Sequence, residues 1–385
     1  VAHEGAGGSR KLKILHVTDR WITGGGQEHI YRICKELNQH EFMVMAAHDG
    51  PARRRFAALA NVEAGIGAVT PAKVKTLQPD LIHFHHMRPL LQWFCRFPAA
   101  PDLPVVVTVH GLHVRRYDFI FTPGARIHAR LRKVLEKRLL HRAGRVVAVS
   151  CEDHEFLVKR YGLTNVVTIF NGIASVETRP CAAAIAGMER PPNGLVALVP
   201  ARFEFQKGHD ILIRALSLPL LKPFRDRIVF VLAGDGPRRQ AMQQLALDHA
   251  VETSLRFLKD CPHDAVMAMM DACDLVVLPS RWEGLPIALL EAGMRGCAVL
   301  ASDACGNREI LAEKRGRLFS NTSPESLAEE LVKILDNPSV LLDMGTALRK
   351  HVQRHYSLEK MLRQLERLYT ECLEEHQVKS VKSKV

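Results

Sequence analysis

Apolar runs of strand length recur from residue 13 to residue 301, separated by amphipathic segments of helix length, and this alternation constrains the fold more than any other feature. The runs at 13–18, 42–47, 80–84, 105–109, 146–149 and 166–170 are apolar on both faces, the pattern of parallel strands covered by helices on both sides of a sheet. A stretch at 177–194, ETRPCAAAIAGMERPPNG, carries prolines and glycines and keeps no period, so it reads as a connection. The alternation then restarts at 195–199, 228–233, 255–257, 275–278 and 298–301. Helices are expected between these strands, among them 210–216 and 238–249. Ser323, followed by Pro324 and Glu325, is a further helix start with a hydroxyl N-cap.

A chain of 385 residues has room for two such domains. The reading is α/β: two doubly wound domains at 11–176 and 195–352, joined by the 177–194 linker and facing a cleft. The segment 353–376 reads as a last helix. Its stripe of Leu358, Met361, Leu362, Leu365, Leu368, Tyr369 and Cys372 has nothing local to cover it, so it should cross back onto the first domain. In open sheets of this kind ligands bind at the carboxyl ends of the strands. No apolar run approaches the roughly 20 residues of a transmembrane helix, and residues 1–11 lack the apolar stretch of a secretory signal. Nine cysteines are scattered without a C-x-x-C pair, which argues for reduced thiols in a cytoplasmic protein and against a disulfide frame or a zinc site.

The strand ends carry the chemistry. In PSRWEGLPIALLEA, residues 279–292, a strand ends, Glu283 and Gly284 form a loop, and Pro286 suits the first turn of a helix. A helix start presents unpaired amides and partial positive charge, which favours phosphate, and Gly284 allows close approach. Glu283 and Glu291 straddle that point, and carboxylates accept hydrogen bonds from hydroxyls. Acids on both sides of a phosphate site suit a diphosphate with a hydroxylated ring at each end, a nucleotide sugar. The strand at 195–199 delivers Arg202, with Lys207 five residues on, and two cations there suit a pyrophosphate. Gly234, in AGDGP at 233–237, reads as turn chemistry. In the first half, Gly24, Gly25 and Gly26 could bring amides to a phosphate or an acceptor. Gly24-x-Gly26-x-x-His29 lacks the third small residue of a dinucleotide fingerprint, although Asp49 keeps an NAD reading in play. His110 leaves the strand at 105–109 toward the cleft, as Asn171 does after 166–170. His83, His85 and His86 cluster at another strand end without a carboxylate or cysteine at ligand spacing, so no metal site is expected.

Taken in order, the glycine-rich first loop (24–26), DLIHFHH (80–86), VTVHG (107–111), VAVS (147–150), NGI (171–173), Arg202 with Lys207, AGDGP and the E-x7-E pair Glu283/Glu291 resemble the retaining glycosyltransferases of glycosyltransferase family 4. The resemblance runs from about residue 12 to 372. It implies the GT-B fold, two Rossmann-like domains, with the acceptor held by the first and the nucleotide-sugar donor by the second. It gives Arg202 and Lys207 the donor diphosphate, Glu283 the transferred sugar and Glu291 the ribose hydroxyls. Backbone at Gly284, Leu285 and Ile287 would meet phosphate or sugar. Gly24–Gly26 would close over the diphosphate, and His110 would support positive charge at the anomeric carbon. No metal and no cofactor is expected, the helix end and the two cations taking the place of a divalent ion. At Lys259, where many relatives carry glycine, the chain departs from the pattern. The implied setting is synthesis of cell-envelope polysaccharide, such as lipopolysaccharide, or of glycolipid, from a UDP- or GDP-sugar to a glycan or lipid-linked acceptor.

Charge adds a partner. Lys and Arg number 53 against 41 acids, a net +12, and ten of the basic residues fall between 113 and 145 against only Asp118 and Glu136. Arg115, Arg116, Arg126, Arg130, Arg132 and Lys133 lie near Phe119, Ile120 and Phe121, a composition expected to touch an anionic membrane peripherally, at the inner face of the plasma membrane. The interleaved aromatics of a nucleic-acid surface are missing. The rival readings are a GT-B phosphorylase, a nucleotide-sugar epimerase and an NAD-dependent oxidoreductase.

Overall fold

The computed structural model describes residues 10–22, 24–96, 103–120, 124–176 and 188–382. The first sheet is built from β1 (Lys13–Arg20), β2 (Glu41–His48), β3 (Val62–Ile66), β4 (Leu81–Phe84), β5 (Val105–Val109), β6 (Arg145–Ala148) and β7 (Val166–Thr168). Its order is β3-β2-β1-β4-β5-β6-β7, and each pairing is parallel. The second holds β8 (Leu195–Pro200), β9 (Ile228–Ala233), β10 (Leu255–Leu258), β11 (Leu275–Leu278), β12 (Ala298–Ser302) and β13 (Arg317–Phe319), ordered β10-β9-β8-β11-β12-β13 and again parallel. Five helices bear on the site: α1 (Gly25–Glu36), α2 (Ala125–His141), α3 (His263–Ala272), α4 (Ile287–Arg295) and α5 (Leu358–Lys382).

Both sheets reverse their winding between two central strands, β1 and β4 in the first and β8 and β11 in the second. The crevice at such a switch point opens where neighbouring connections leave to opposite faces. The glycine turn before α1, the 83–86 histidines, Arg202 and the 279–286 loop all follow these four strands, so topology alone brings them to two crevices.

Two strands escaped the sequence reading, β3 and β13. Both are short edges: β3 interrupts its apolar pattern with Glu63 and Gly65, and β13 is three residues long. Pro286, expected in the first turn of a helix, instead sits before it in extended geometry, and α4 starts at Ile287. The last helix does not run from 353. A preceding helix, Val340–His355, packs on the second unit; the chain turns at Tyr356, and α5 starts at Leu358. There Ile173 and Ser357 form a parallel bridge, closed by Ile173 N–H to Tyr356 O at 2.9 Å and Leu358 N–H to Ile173 O at 2.9 Å. The stripe expected from the sequence then packs on the first unit: Leu358, Met361, Leu362, Leu365, Leu368, Tyr369 and Cys372 share a core with Leu12, Ile14, Ile30, Ile33, Phe42 and Val106. Every cysteine whose side chain is described is a free thiol. No helix among the described residues is long and apolar enough to cross a membrane.

Candidate active site at the junction of the two units

The loop from β11 to α4 is pinned before it meets the other unit. Arg281 forks onto Asp210, with bonds of 3.0 Å and 2.6 Å, and lies over the Phe205 ring. Gly208, at φ 64°, touches the carbonyl of Pro279 so closely that a Cβ would lie 1.9 Å from its oxygen. A Cβ on Gly306 would lie 1.9 Å from Gly284 O. Glycine is the residue that permits these approaches. From the opposite unit Gly111, at φ 120°, follows His110 onto the same loop, where a Cβ would come within 3.0 Å of Gly284 N. Asn171 Nδ2 donates to Leu285 O at 2.7 Å, and Phe119 stacks on Trp282 with centroids 5.7 Å apart. The two units therefore meet backbone to backbone at the mouth of α4.

At that mouth the amides of Ile287 and Ala288 lie in the turn that has no intrahelical acceptors. Glu283 is buried (6% exposed) and accepts from Lys207 Nζ at 2.6 Å. Arg202, half-buried, donates to Glu204 Oε1 at 2.6 Å. The glycine turn of the first unit lies across these residues. A Cβ on Gly24 would be 3.9 Å from Arg202 Cδ, one on Gly25 3.8 Å from Ile287 Cδ1, and one on Gly26 3.5 Å from the His86 ring and 3.8 Å from His110 Cδ2. Gly24–Gly26, Arg202, Lys207, Glu283, Gly284, Ile287 and His110 thus form one constellation drawn from both units.

Other expected site residues have different neighbours. Gly234 packs on the Ala201 carbonyl, and Phe203 N–H is tied to Asp235 O at 3.0 Å, so the 233–237 turn supports the backbone beside Arg202. Asn171 Nδ2 donates to the Leu285 carbonyl across the junction and ties the two units there. Glu291 is buried (6% exposed), and its Oε1 accepts from Arg32 Nη2 at 2.6 Å and pairs with His263 Nε2 at 2.9 Å.

The expected membrane residues also divide. Arg115 is engaged by Glu152 at 2.7 Å, Arg132 by Glu136 at 2.7 Å, and Phe119 by Trp282, so these three are committed within the protein. Arg116, Arg126, Arg130 and Lys133 are exposed, and Phe121 lies outside the described residues.

Sequence reasoning missed the ionic cluster behind Glu291 and the extent of the histidine cluster. Arg32 Nε donates to Glu28 at 3.0 Å, and Arg55 Nη1 donates to the same carboxylate at 2.5 Å. Burial pushes the Glu28 carboxyl up, but Arg32, Arg55 and His263 more than reverse this and leave it below the usual range. The bond to Glu291 raises the His263 pKa. The Glu28/Arg32 spacing of four on a helix after the glycine turn was the available signal. In the first unit an imidazole chain runs inward: His110 Nε2 to His85 Nδ1 at 3.2 Å, then His85 Nε2 to His16 Nδ1 at 2.6 Å. His83 joins Thr108 at 2.7 Å and Tyr369 of α5 at 2.8 Å. Burial, then the neighbouring His29, lowers His16 to about 3; burial, then Arg32, lowers His29 to about 4. Burial and adjacent imidazoles hold His83 and His85 well below the usual range. His16, His29, His83 and His85 are therefore neutral at pH 7. Close imidazole groups (His16/His83/His85 and His29/His85/His110) and Glu28/His263/Glu291 do come within ligand reach of one another, which the sequence spacing of 83–86 did not suggest.

Residues 23–175 match the family model described as Glycosyltransferase Family 4, and residues 184–351 match Glycosyl transferases group 1. The chain belongs to glycosyltransferase family 4. Relatives include a glycogen synthase of Mycobacterium tuberculosis, 25% identical over 306 residues covering 76% of this chain and 69% of the relative. Another is a D-inositol 3-phosphate glycosyltransferase of Corynebacterium aurimucosum, 26% identical over 312 residues, covering 76% of this chain and 72% of the relative. Among solved structures, Anabaena HepE in complex with UDP-glucose superposes with a TM-score of 0.77 at 19% identity, over 94% of this chain and all (100%) of that one. The two parallel-sheet units are those of the GT-B fold, and the chain is a transferase.

Proposed function

We propose that this family 4 transferase moves a sugar with retention from a nucleotide sugar, a UDP-sugar first and a GDP-sugar as the alternative, to a glycan or lipid-linked acceptor. The observation that carries this reading is the Lys207–Glu283 pair at the α4 mouth, with Arg202 beside it and Gly24–Gly26 opposite. Two cations and a helix start offset the charge of a departing nucleoside diphosphate. Glu283, one bond from Lys207, is placed to accept a hydroxyl of the transferred sugar, and His110 adjoins Gly26 where the anomeric carbon would sit. On a same-face path the departing phosphate oxygen takes the acceptor proton. These protein cations fill the role of a divalent ion, so transfer proceeds without metal. HepE is a UDP-glucose complex, which favours uridine.

The acceptor would be presented at a membrane. On α2, Ile127 (66% exposed), Leu131 (63%) and Val134 (45%) form an outward stripe at helical spacing, beside the exposed cations Arg126, Arg130, Lys133 and Lys137. An apolar stripe flanked by lysine and arginine suits the interface of an anionic bilayer, and it takes over the apolar role that the sequence gave to Phe119. Such a surface fits work on envelope polysaccharide or glycolipid at the inner face of a plasma membrane.

The test is hydrolysis of UDP-, GDP- and ADP-sugars without acceptor, in chelator, by the native chain and by Glu283→Gln. The expected result is turnover of one donor class, lowered about a hundredfold in the variant. Equal turnover in the variant, or activity that needs added metal, refutes the reading. Donor conversion to its epimer, or phosphate-dependent glycan breakdown, would select a rival.

A further inference from the structure

Glu291, read above as the ribose acid, belongs to the second unit, yet the strongest charged donor on it comes from the first. Arg32 is buried and spends each nitrogen on a different partner: Nε on Glu28 at 3.0 Å, Nη1 on Gly172 O at 3.2 Å, and Nη2 on Glu291 Oε1 at 2.6 Å. Its direction is fixed from behind. Glu28 lies one turn earlier on α1 and is itself clamped by Arg55 at 2.5 Å. The α1 helix starts at Gly25, within the turn that faces Arg202 and Ile287, so any movement that brings those glycines to the α4 mouth also brings Arg32 to Glu291. His263, from α3 of the second unit, holds the same oxygen at 2.9 Å and stays behind if the units part.

A buried ion pair roughly balances desolvation against attraction, so closure through Arg32–Glu291 is reversible at modest cost. Its effect is directional. With Oε1 held by two donors, the carboxylate is locked in one orientation at the nucleotide end of the site; without Arg32 only His263 remains to hold it. We propose that Arg32 is a positioning residue that orients Glu291 from the opposite unit and so ties affinity for the nucleoside diphosphate to closure of the cleft. This rests on the nucleotide-sugar reading of the site. By linkage, whatever closure adds to nucleotide binding, the nucleotide adds to closure.

The experiment is titration calorimetry of UDP and GDP on four full chains: native, Arg32→Gln, Glu291→Gln and the double variant. Arg32→Lys is a fifth, keeping the charge if the glutamine variant folds poorly. The expected result is affinity at least about tenfold weaker in Arg32→Gln, partial recovery in Arg32→Lys, and no further loss when Arg32→Gln is added to Glu291→Gln. A residue of purely structural importance would lower the melting temperature and add its effect independently of Glu291. Native affinity in Arg32→Gln, tighter binding, or additive losses would overturn the proposal while leaving the site reading intact. Native affinity in Glu291→Gln, or no binding of either nucleotide to the native chain, would instead bring down the site reading and the proposal with it.

Discussion

Lowering the pH from about 7.5 to about 5.5 should cost this protein stability, and the sign of the loss follows from five buried imidazoles. An unfolded histidine takes up its proton near pH 6.5. In the fold, His16 and His209 do so only at about 3 and His29 at about 4, while His83 and His85 are held well below the usual range; burial is the leading cause for each. Folded values depressed this far mean that between pH 6.5 and 4 the unfolded chain binds protons that the native one cannot. Stability is therefore full above pH 6.5 and falls as the pH drops. At pH 5.5 each of His16, His29 and His209 costs a little over about 1 kcal/mol, set almost wholly by the unfolded value because the folded ones lie far lower, and the three together cost about 4 kcal/mol, with His83 and His85 adding in the same direction. Asp153 acts in the opposite sense. Burial, only partly offset by Arg115, raises it to about 7, so the native state binds a proton that the unfolded state does not, and returns about 2 kcal/mol at pH 5.5. His263, also raised, has the same sign. The three histidines less Asp153 leave a net loss of about 2 kcal/mol, to which His83 and His85 add, against a total of about 5–15 for a typical domain. Urea unfolding at the two pH values reads it directly, and His209→Phe should reduce the pH dependence by a little over about 1 kcal/mol. A loss below about 1 kcal/mol would refute the neutral, buried cluster.

Two further outcomes follow from the junction and the membrane face. Gly111→Ala adds a methyl 3.0 Å from Gly284 N on a backbone at φ 120°; strain there of about 1–3 kcal/mol should cut turnover at least tenfold with a melting shift of only a few degrees, and unchanged turnover would mean that the backbone contact between units plays no part in catalysis. Leu131→Asp, at a site 63% exposed, should abolish co-sedimentation with phosphatidylserine vesicles without altering hydrolysis of a soluble donor. Binding that persists, or equal binding to neutral vesicles in low salt, would remove α2 from the membrane.

What was legible in the sequence was whatever repeats or sits next to a strand end. Buried parallel strands are apolar on both faces, so eleven of the strands announced themselves as runs, whereas β3 and β13 lie at sheet edges, where exposed Glu63 and the ion-paired Arg317 break the run. The constellation at the α4 mouth was readable because each member directly follows a strand. Arg32 and His263 were not, since both gain their meaning from Glu291, which is 259 and 28 residues away in the chain. The membrane residues show the same limit: basic composition was visible, but that Phe119 packs on Trp282, and that Ile127 and Leu131 turn outward with the rotation of α2, is set by packing across the fold.

The central claim is that a nucleoside diphosphate binds where the two units touch. A crystal structure of the chain grown with UDP, or with GDP if calorimetry selects it, tests this most directly. The expected map places the diphosphate against the α4 mouth between Arg202, Lys207 and Gly24–Gly26, with the ribose on Glu291. A nucleotide lodged at any other place, or bound there with Lys207 and Arg202 turned away, would contradict the account.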